Sequence, residues 1–390
     1  MERMSNFKDK PYQTILVFLI VLGLFTCGLL GVNNLYSYLS RDSAVMVLEK
    51  SLFAGEESKE GDSPFAVDRI VKFTLPYTVL TYDLFDINTV ALMYLNPQDK
   101  MFSLQTGIYN LNQGAITGDL GQKKQTAKGT IQVAPDGKTV LTSLYEKTDA
   151  LTTVYIYDLA SQRNIGVLHN LTAAAWLPAG RKFVGLDDYL FVYDITTGQR
   201  EDICAISQYI RKPEQYFLSL NVLADGETVG VTGNNSQGSS DIILINLTKK
   251  TVKTNRVTGF LAASSPLAPQ ALAYVGSVQE RDGLYAYNAS SKAMTQLLDM
   301  GSGHKIGEIS ASPDGRKIAY TEATISSGTA IQAIHVASLN NQQLTDDQIV
   351  FQDSQLIQNL IWTKDSQVLY YLQNGEGSTI LGRILFKNLR

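Results

Sequence analysis

The residues of this sequence that could do chemistry are few: three histidines, two cysteines and a scatter of carboxylates in polar connections. His169, His304 and His335 are widely spaced, and Cys27 and Cys204 lie nearly half the chain apart. A structural zinc site or a disulfide framework needs several Cys or His at short, regular spacing, so neither is expected and no metal or cofactor is implied. A serine hydrolase of the α/β type would need a Gly-x-Ser-x-Gly elbow, and the chain has none. The run Gly301-Ser-Gly-His-Lys-Ile-Gly lacks dinucleotide-binding spacing and reads as a turn. Each histidine is therefore expected as a packing or surface residue, Cys204 as an inert thiol, and no residue is assigned a catalytic role.

Composition narrows the partners and the fold class. The 33 Lys and Arg against 37 Asp and Glu leave a net charge of −4, which argues against an electrostatically driven nucleic-acid binder. Hydrophobic residues at 44% and charged residues at 18% suit a chain with a sizeable core and exclude disorder and a multi-span membrane protein. Twenty tyrosines favour pleated, half-buried surfaces and tilt the expectation toward an all-β protein.

The N-terminal segment is expected to be a membrane anchor. No charge occurs between Lys10 and Arg41, and Ile15 to Val32 holds thirteen Leu, Ile, Val or Phe residues in eighteen positions. That run is long enough to cross a bilayer as a helix, and those side chains favour insertion by roughly −4 to −8 kcal/mol. A cleaved secretory signal is the competing reading, but the apolar run is long and no small-x-small site follows it. Leu24-Phe-Thr-Cys27 only faintly resembles a lipidation box. Arg3, Lys8 and Lys10 outweigh Arg41 and Lys50, which places the N-terminus in the cytoplasm and the rest outside. Val45, Leu48 and Leu52 then fall at helical spacing before a small, acidic stretch. The expected organisation is a cytoplasmic head over 1–13, a transmembrane helix over 14–32, a juxtamembrane helix and linker over 33–64, and one large domain over 65–390.

That domain repeats. Val133-Ala-Pro-Asp-Gly-Lys-Thr-Val-Leu-Thr recurs almost unchanged as Ile309-Ser-Ala-Ser-Pro-Asp-Gly-Arg-Lys-Ile-Ala-Tyr-Thr. Pro presets φ, Asp tolerates the next position and Gly closes the turn, so each copy reads as strand, turn, strand. Weaker copies centre on Asp86, Ala179, Asp225, Gln270 and Asp365, giving spacings of 43 to 51 residues. That period is close to the roughly 40 to 50 residues of a propeller blade. A second strand-like run follows each turn, as in Thr153 to Leu159 and Tyr189 to Ile195. The last repeat stops after its third strand, and the spare run Arg69 to Leu75 would complete it and close the ring. The expectation is a seven-bladed β-propeller behind one N-terminal transmembrane helix, or six blades if the run around Asp86 is not a repeat.

The run Ser312-Pro-Asp-Gly-Arg-Lys-Ile-Ala-Tyr320, with its relatives at 135 and 225, resembles the repeat of TolB-type propellers and of the propellers in prolyl-oligopeptidase-class peptidases. No Trp-Asp dipeptide ends a repeat, so a typical WD ring is less well matched, although the repeats are WD-like in length. The resemblance implies a fold rather than an activity, because such repeats record packing and turn chemistry while function sits in loops.

Alternate connections emerge at opposite ends of such a ring. The Pro-Asp-Gly turns occupy one end; the longer, more polar connections occupy the other. A ligand or partner face is expected there, from Asp149, Asp187, Asp188, Asn234, Asn235, Glu280, Arg281, Asp282, Glu322 and Glu376. The function expected is a non-catalytic binding or scaffold module whose partner is a protein or cell-envelope component. The alternative is a propeller enzyme, a lyase or hydrolase, acting from the central channel. A protease added to intact cells is expected to digest residues 65–390 and leave the first thirteen protected; protection of the large domain would overturn this orientation.

Overall fold

The computed structural model describes residues 64–387 apart from 97–98, 100–102, 125–127, 146–150, 211–216, 236–237, 268–269, 302–303, 327–328, 341–342 and 376–377. The expected head, membrane helix and juxtamembrane helix lie outside the described residues. Among the described residues no helix is long and apolar enough to cross a membrane.

The described chain is built from strands. A lone leading strand, β1 (Val67–Leu75), precedes a sheet of β2 (Thr78–Leu84), β3 (Thr89–Leu95), β4 (Leu104–Asn110) and β5 (Ala115–Lys124). The next sheets are β6 (Gly129–Val133), β7 (Thr139–Tyr145), β8 (Thr152–Asp158) and β9 (Arg163–Leu171), then β10 (Ala173–Trp176), β11 (Lys182–Leu186), β12 (Tyr189–Asp194) and β13 (Gln199–Ala205). A longer run joins β14 (Phe217–Val222), β15 (Thr228–Asn234), β16 (Ser239–Asn246), β17 (Thr251–Leu267), β18 (Ala271–Val278), β19 (Arg281–Asn288) and β20 (Met294–Asp299). The last two are β21 (His304–Ala311), β22 (Lys317–Ser326), β23 (Thr329–Asn340) and β24 (Gln343–Asp353), followed by β25 (Leu356–Trp362), β26 (Val368–Gly375) and β27 (Ser378–Phe386). Each strand pairs antiparallel with the next within its sheet, and β1 pairs antiparallel with β27 from Val67↔Phe386 to Leu75↔Thr379. The spare run thus completes the last sheet, and the irregular repeat around Asp86 is a full four-stranded member.

The seven-stranded run is two four-stranded sets sharing β17. Its first half pairs with β16 and its second with β18, and the chain turns the corner at Gly259. There φ is +137°, and a Cβ would meet the Ser277 carbonyl oxygen at 1.9 Å, so only glycine fits.

Middle strands such as β7 and β16 are buried on both faces along most of their length, whereas outermost strands such as β9 and β13 are largely exposed. Both faces of a sheet are covered when its neighbours stack on it, so near-continuous apolar runs replace strict alternation. Among the described residues the core divides into seven clusters, each joining facing sides of two neighbouring four-stranded sets. One of them unites Val79, Tyr82 and Leu92 with Phe73, Tyr370 and Leu381, so the last set packs on the first. At this seam the Tyr82 hydroxyl donates to the Asn359 carbonyl at 2.8 Å, and Arg383 donates to the Ile87 carbonyl at 2.9 Å.

The repeated turn is a repeated chemical device. The Oδ1 atoms of Asp86, Asp136, Asp225, Asp314 and Asp365 each accept the main-chain N–H two residues on, at 2.7 to 3.1 Å. Gly137, Gly180, Gly226, Gly315 and Ser366 hold the left-handed conformation at the equivalent place, with φ from +59° to +72°. Turns of neighbouring sets touch: Asp314 N donates to Ser366 Oγ at 3.1 Å, and a Cβ on Gly180 would strike Asp136 at 2.9 Å. At Gly137 nothing lies within 4 Å of a built Cβ, so only the backbone conformation resists substitution. Gly137→Ala is expected to cost about 1 kcal/mol of stability and Gly137→Asn clearly less; equal stability of all three proteins in denaturant titration would refute this account of the turn.

Candidate functional site

Two places gather polar groups: the channel mouth at the turn end, and the opposite, loop-bearing end. The channel is walled by the innermost strands β2, β6, β10, β14, the second half of β17, β21 and β25. Side chains stitch these to one another. Asp83 Oδ2 accepts Val133 N at 2.7 Å, Gln132 Nε2 donates to the Ala174 carbonyl at 2.9 Å, and Asn221 Nδ2 donates to Ser264 Oγ at 2.7 Å. Ser265 Oγ accepts Ala311 N at 2.9 Å, and Trp362 Nε1 donates to the Ser310 carbonyl at 3.1 Å.

Where β2, β6, β21 and β25 run into their turns they line an open cavity of about 350 Å³. Tyr82, Asp83, Ile131, Gln132, Ser310, Ala311, Pro313, Leu360, Ile361 and Trp362 form its wall. Asp83 is its only carboxylate. Burial pushes that carboxyl up to about 6, against N–H bonds from Val133 and Leu84 and the Lys364 charge, which act in the opposite sense. Burial likewise raises Glu308 on β21, partly offset by the Asn359 N–H, and raises the Tyr82 hydroxyl well above its ordinary range.

Glu322, expected in a connection, lies midway along β22 and is the centre of a network that reaches His304 at the loop-bearing end. One of its oxygens meets His304 Nδ1, and the other lies 2.8 Å from His335 Nε2. His335 Nδ1 is 3.3 Å from Asp347 Oδ1, and the Tyr320 hydroxyl donates to Asp347 Oδ2 at 2.7 Å while its ring stacks on the His335 ring. Burial alone would raise the Asp347 carboxyl, but the bonds from His335 and Tyr320 hold it below the ordinary carboxylate range. His304 is exposed and His335 buried.

The other expected site residues fall at this end in varied settings. Asp187 is held by Arg200, whose NH1 and NH2 reach its two oxygens at 2.7 and 3.1 Å; Asp188 offers its carbonyl to Ile206 N at 3.0 Å. Asn234 is buried and ties β15 to β17, donating to the Leu261 carbonyl at 2.6 Å and accepting from Ser240 Oγ at 2.5 Å. Asn235 closes its own turn onto Ser239. Glu280 occupies the turn before β19 with φ +65°, and Arg281 and Asp282 open that strand, exposed. Asp149 and Glu376 lie outside the described residues. Glu322 is therefore brought together with histidines that sequence reasoning set aside, while Asn234 serves the fold. Among the described residues no group of three or more His, Cys, Asp or Glu side chains is arranged to hold a metal ion.

The hairpin itself contained a signal for this network. With Ser326 paired to Thr329, the register of β22 and β23 sets Tyr320 opposite His335. Asp83 gave no such signal, because its acceptor role depends on β6, fifty residues away.

No family model and no curated protein matches the sequence. Among solved structures, the chain superimposes on a prolyl endopeptidase with a TM-score of 0.58 and 13% identity, covering 77% of this chain and 46% of that one. The β-propeller domain of the trilobed protease from Pyrococcus furiosus gives 0.56 and 13%, with 80% and 95% covered. An oligogalacturonate lyase in complex with manganese gives 0.50 and 11%, with 80% and 97% covered. The chain thus spans about half the length of the endopeptidase. These likenesses identify an all-β, propeller-type fold.

The raised Asp83 carboxyl has a worked consequence. A carboxyl near 3.9 unfolded and about 6 folded binds its proton more tightly in the native state. Its contribution to stability is then greatest below about pH 4 and is lost as pH rises through about 6, a change on the order of 2 kcal/mol. The wild-type chain is expected to lose stability relative to Asp83→Asn between pH 4 and pH 7 in thermal unfolding. A pH-independent difference between the two would contradict it.

Proposed function

We propose that the chain is a seven-bladed propeller held outside the cell by its N-terminal apolar segment, and that it acts as a binding module for a protein partner at its loop-bearing end. The seven interfacial core clusters and the completion of the last sheet by β1 support the blade number. The charge-free apolar run from Ile15 to Val32 and the basic head before it support the anchoring.

One observation carries the binding role. Large apolar side chains stand exposed at the loop-bearing end of several sets: Phe260 where β17 begins its inner half, Ile325 at the end of β22, Leu356 at the start of β25 and Tyr189 at the start of β12. Ile325 is 79% exposed. Charged turn residues, including Glu280, Arg281 and Asp282, share that end. Exposed apolar groups among polar ones are the composition of a docking surface, and aromatic residues there contribute most of the affinity.

A second reading, an enzyme acting at the channel, is supported by the cavity beside Asp83 and by the likeness to an endopeptidase and a lyase. Turnover of prolyl peptides or oligogalacturonides that is lost in Asp83→Asn would put that reading in place of the first.

The docking reading is tested by proximity labelling from the anchored full-length chain in its native membrane. Replacing Phe260 and Ile325 together by Asp is expected to cut the labelled neighbours at least about fivefold. Replacing Ile165 and Val167 on the outer strand β9 is expected to leave them unchanged. An identical neighbour set in all three proteins would sink the proposal.

A further inference from the structure

The channel mouth at the turn end combines a carboxylate, apolar walls and a positive strap. Asp83 lines the cavity of about 350 Å³, and each of its oxygens accepts one main-chain N–H, Leu84 N at 2.8 Å and Val133 N at 2.7 Å. An ionised carboxylate has about four acceptor positions, so roughly two remain. Around it stand Ile131, Leu360 and Ile361, with the rings of Tyr82 and Trp362. A charge in such surroundings is poorly solvated and gains from a counter-charge that brings its own donors.

The charge along the channel points the same way. The innermost strands carry two carboxylates, Asp83 and Glu308, and their only basic residues, His304 and Lys305, open β21 at the far end. The cation whose charge acts on the Asp83 carboxyl is Lys364. Its Nζ donates to the Pro135 carbonyl at 2.7 Å, reaching from the turn after β25 to the turn after β6, past the intervening β2 set. Lys364 lies at the mouth and acts on the Asp83 carboxyl through its charge, while its ammonium donates to a carbonyl elsewhere.

We propose that this channel mouth binds a primary ammonium group on an apolar arm, the ammonium donating to Asp83 and the methylenes lying against Ile131, Leu360 and Ile361. Single acceptor positions on two oxygens suit a compact ammonium with three donors better than a planar guanidinium that needs an open carboxylate edge. Lys364 competes with the ligand for the same negative charge and so weakens binding. The site lies at the end opposite the docking surface and does not depend on it.

The same chemistry has two sources, a free alkylamine or a lysine side chain of a partner. The full-length chain in lipid nanodiscs is titrated calorimetrically at pH 7.5 with n-pentylamine, with N-acetyl-lysine amide and with the uncharged N-acetyl-norleucine amide. Saturable binding of one or both amines is expected, at least tenfold tighter than the norleucine compound. Tighter binding of n-pentylamine identifies a free amine, and tighter binding of the lysine compound a peptide side chain. Asp83→Asn is expected to weaken amine binding at least tenfold. Lys364→Ala, an exposed change that leaves the fold intact, is expected to strengthen it severalfold. Binding is also expected to weaken as pH falls through about 6, where Asp83 takes up its proton; Tyr82, Glu308 and Lys364 are the other ionisable groups acting around it. No saturation by either amine, equal binding of the norleucine compound, or unchanged binding in Lys364→Ala would overturn the proposal.

Discussion

A sheet that is apolar on both faces cannot stand alone in water, and the rest of this structure follows from that constraint. The middle strands β3, β7 and β16 present almost continuous buried side chains, so each set needs a neighbour on either side. A linear stack would leave two uncovered faces. Packing the last set on the first removes both, which is why β1 is drawn from the beginning of the chain to pair with β27 and why Tyr82, Asn359 and Arg383 meet at the seam. The junction most distant in sequence is therefore the one on which every other interface depends.

Stacking in a circle brings the inner strands and their turns into close quarters, and the channel's chemistry is a by-product of holding them there. Asp83, Gln132, Asn221 and Ser265 each make a hydrogen bond to a neighbouring inner strand. The turn end is packed tightly enough that Gly180 has no room for a side chain beside Asp136. The opposite end is looser. Its hairpin connections are not uniformly longer, as the sequence suggested, but range from two residues between β11 and β12 to eight between β3 and β4; its strand ends carry exposed Phe260, Ile325 and Leu356, and its polar residues include Asn234, which serves the fold. Rigidity at one end thus supports variety at the other.

The repeat and the strand order were legible in the sequence because turn chemistry is local. Asp followed by a residue in left-handed conformation, glycine at 137, 226 and 315 and serine at 366, gives the same hydrogen bond in four copies, and copies that lost the Pro or the Gly kept enough of the pattern to be placed in register. The spare run from Arg69 to Leu75 was legible as a closing strand by counting. Site chemistry was not, since it depends on contacts between sets. Nothing near Asp83 in sequence announces that Val133 will occupy its carboxylate, and His304 and His335, thirty-one residues apart, converge on Glu322 only through three-strand pairing.

On the proposed function, the loop-bearing end is the surface on which the propeller docks a folded protein partner. Hydrogen–deuterium exchange on the full-length chain tests it most directly, comparing the chain in its native membranes with the same chain purified into lipid nanodiscs. Slower exchange in native membranes is predicted around 187–189, 258–260, 322–326 and 356–358, with greater protection there than in the turns at 134–138 and 363–367. Protection confined to those turns, or no difference between the two preparations, would contradict it.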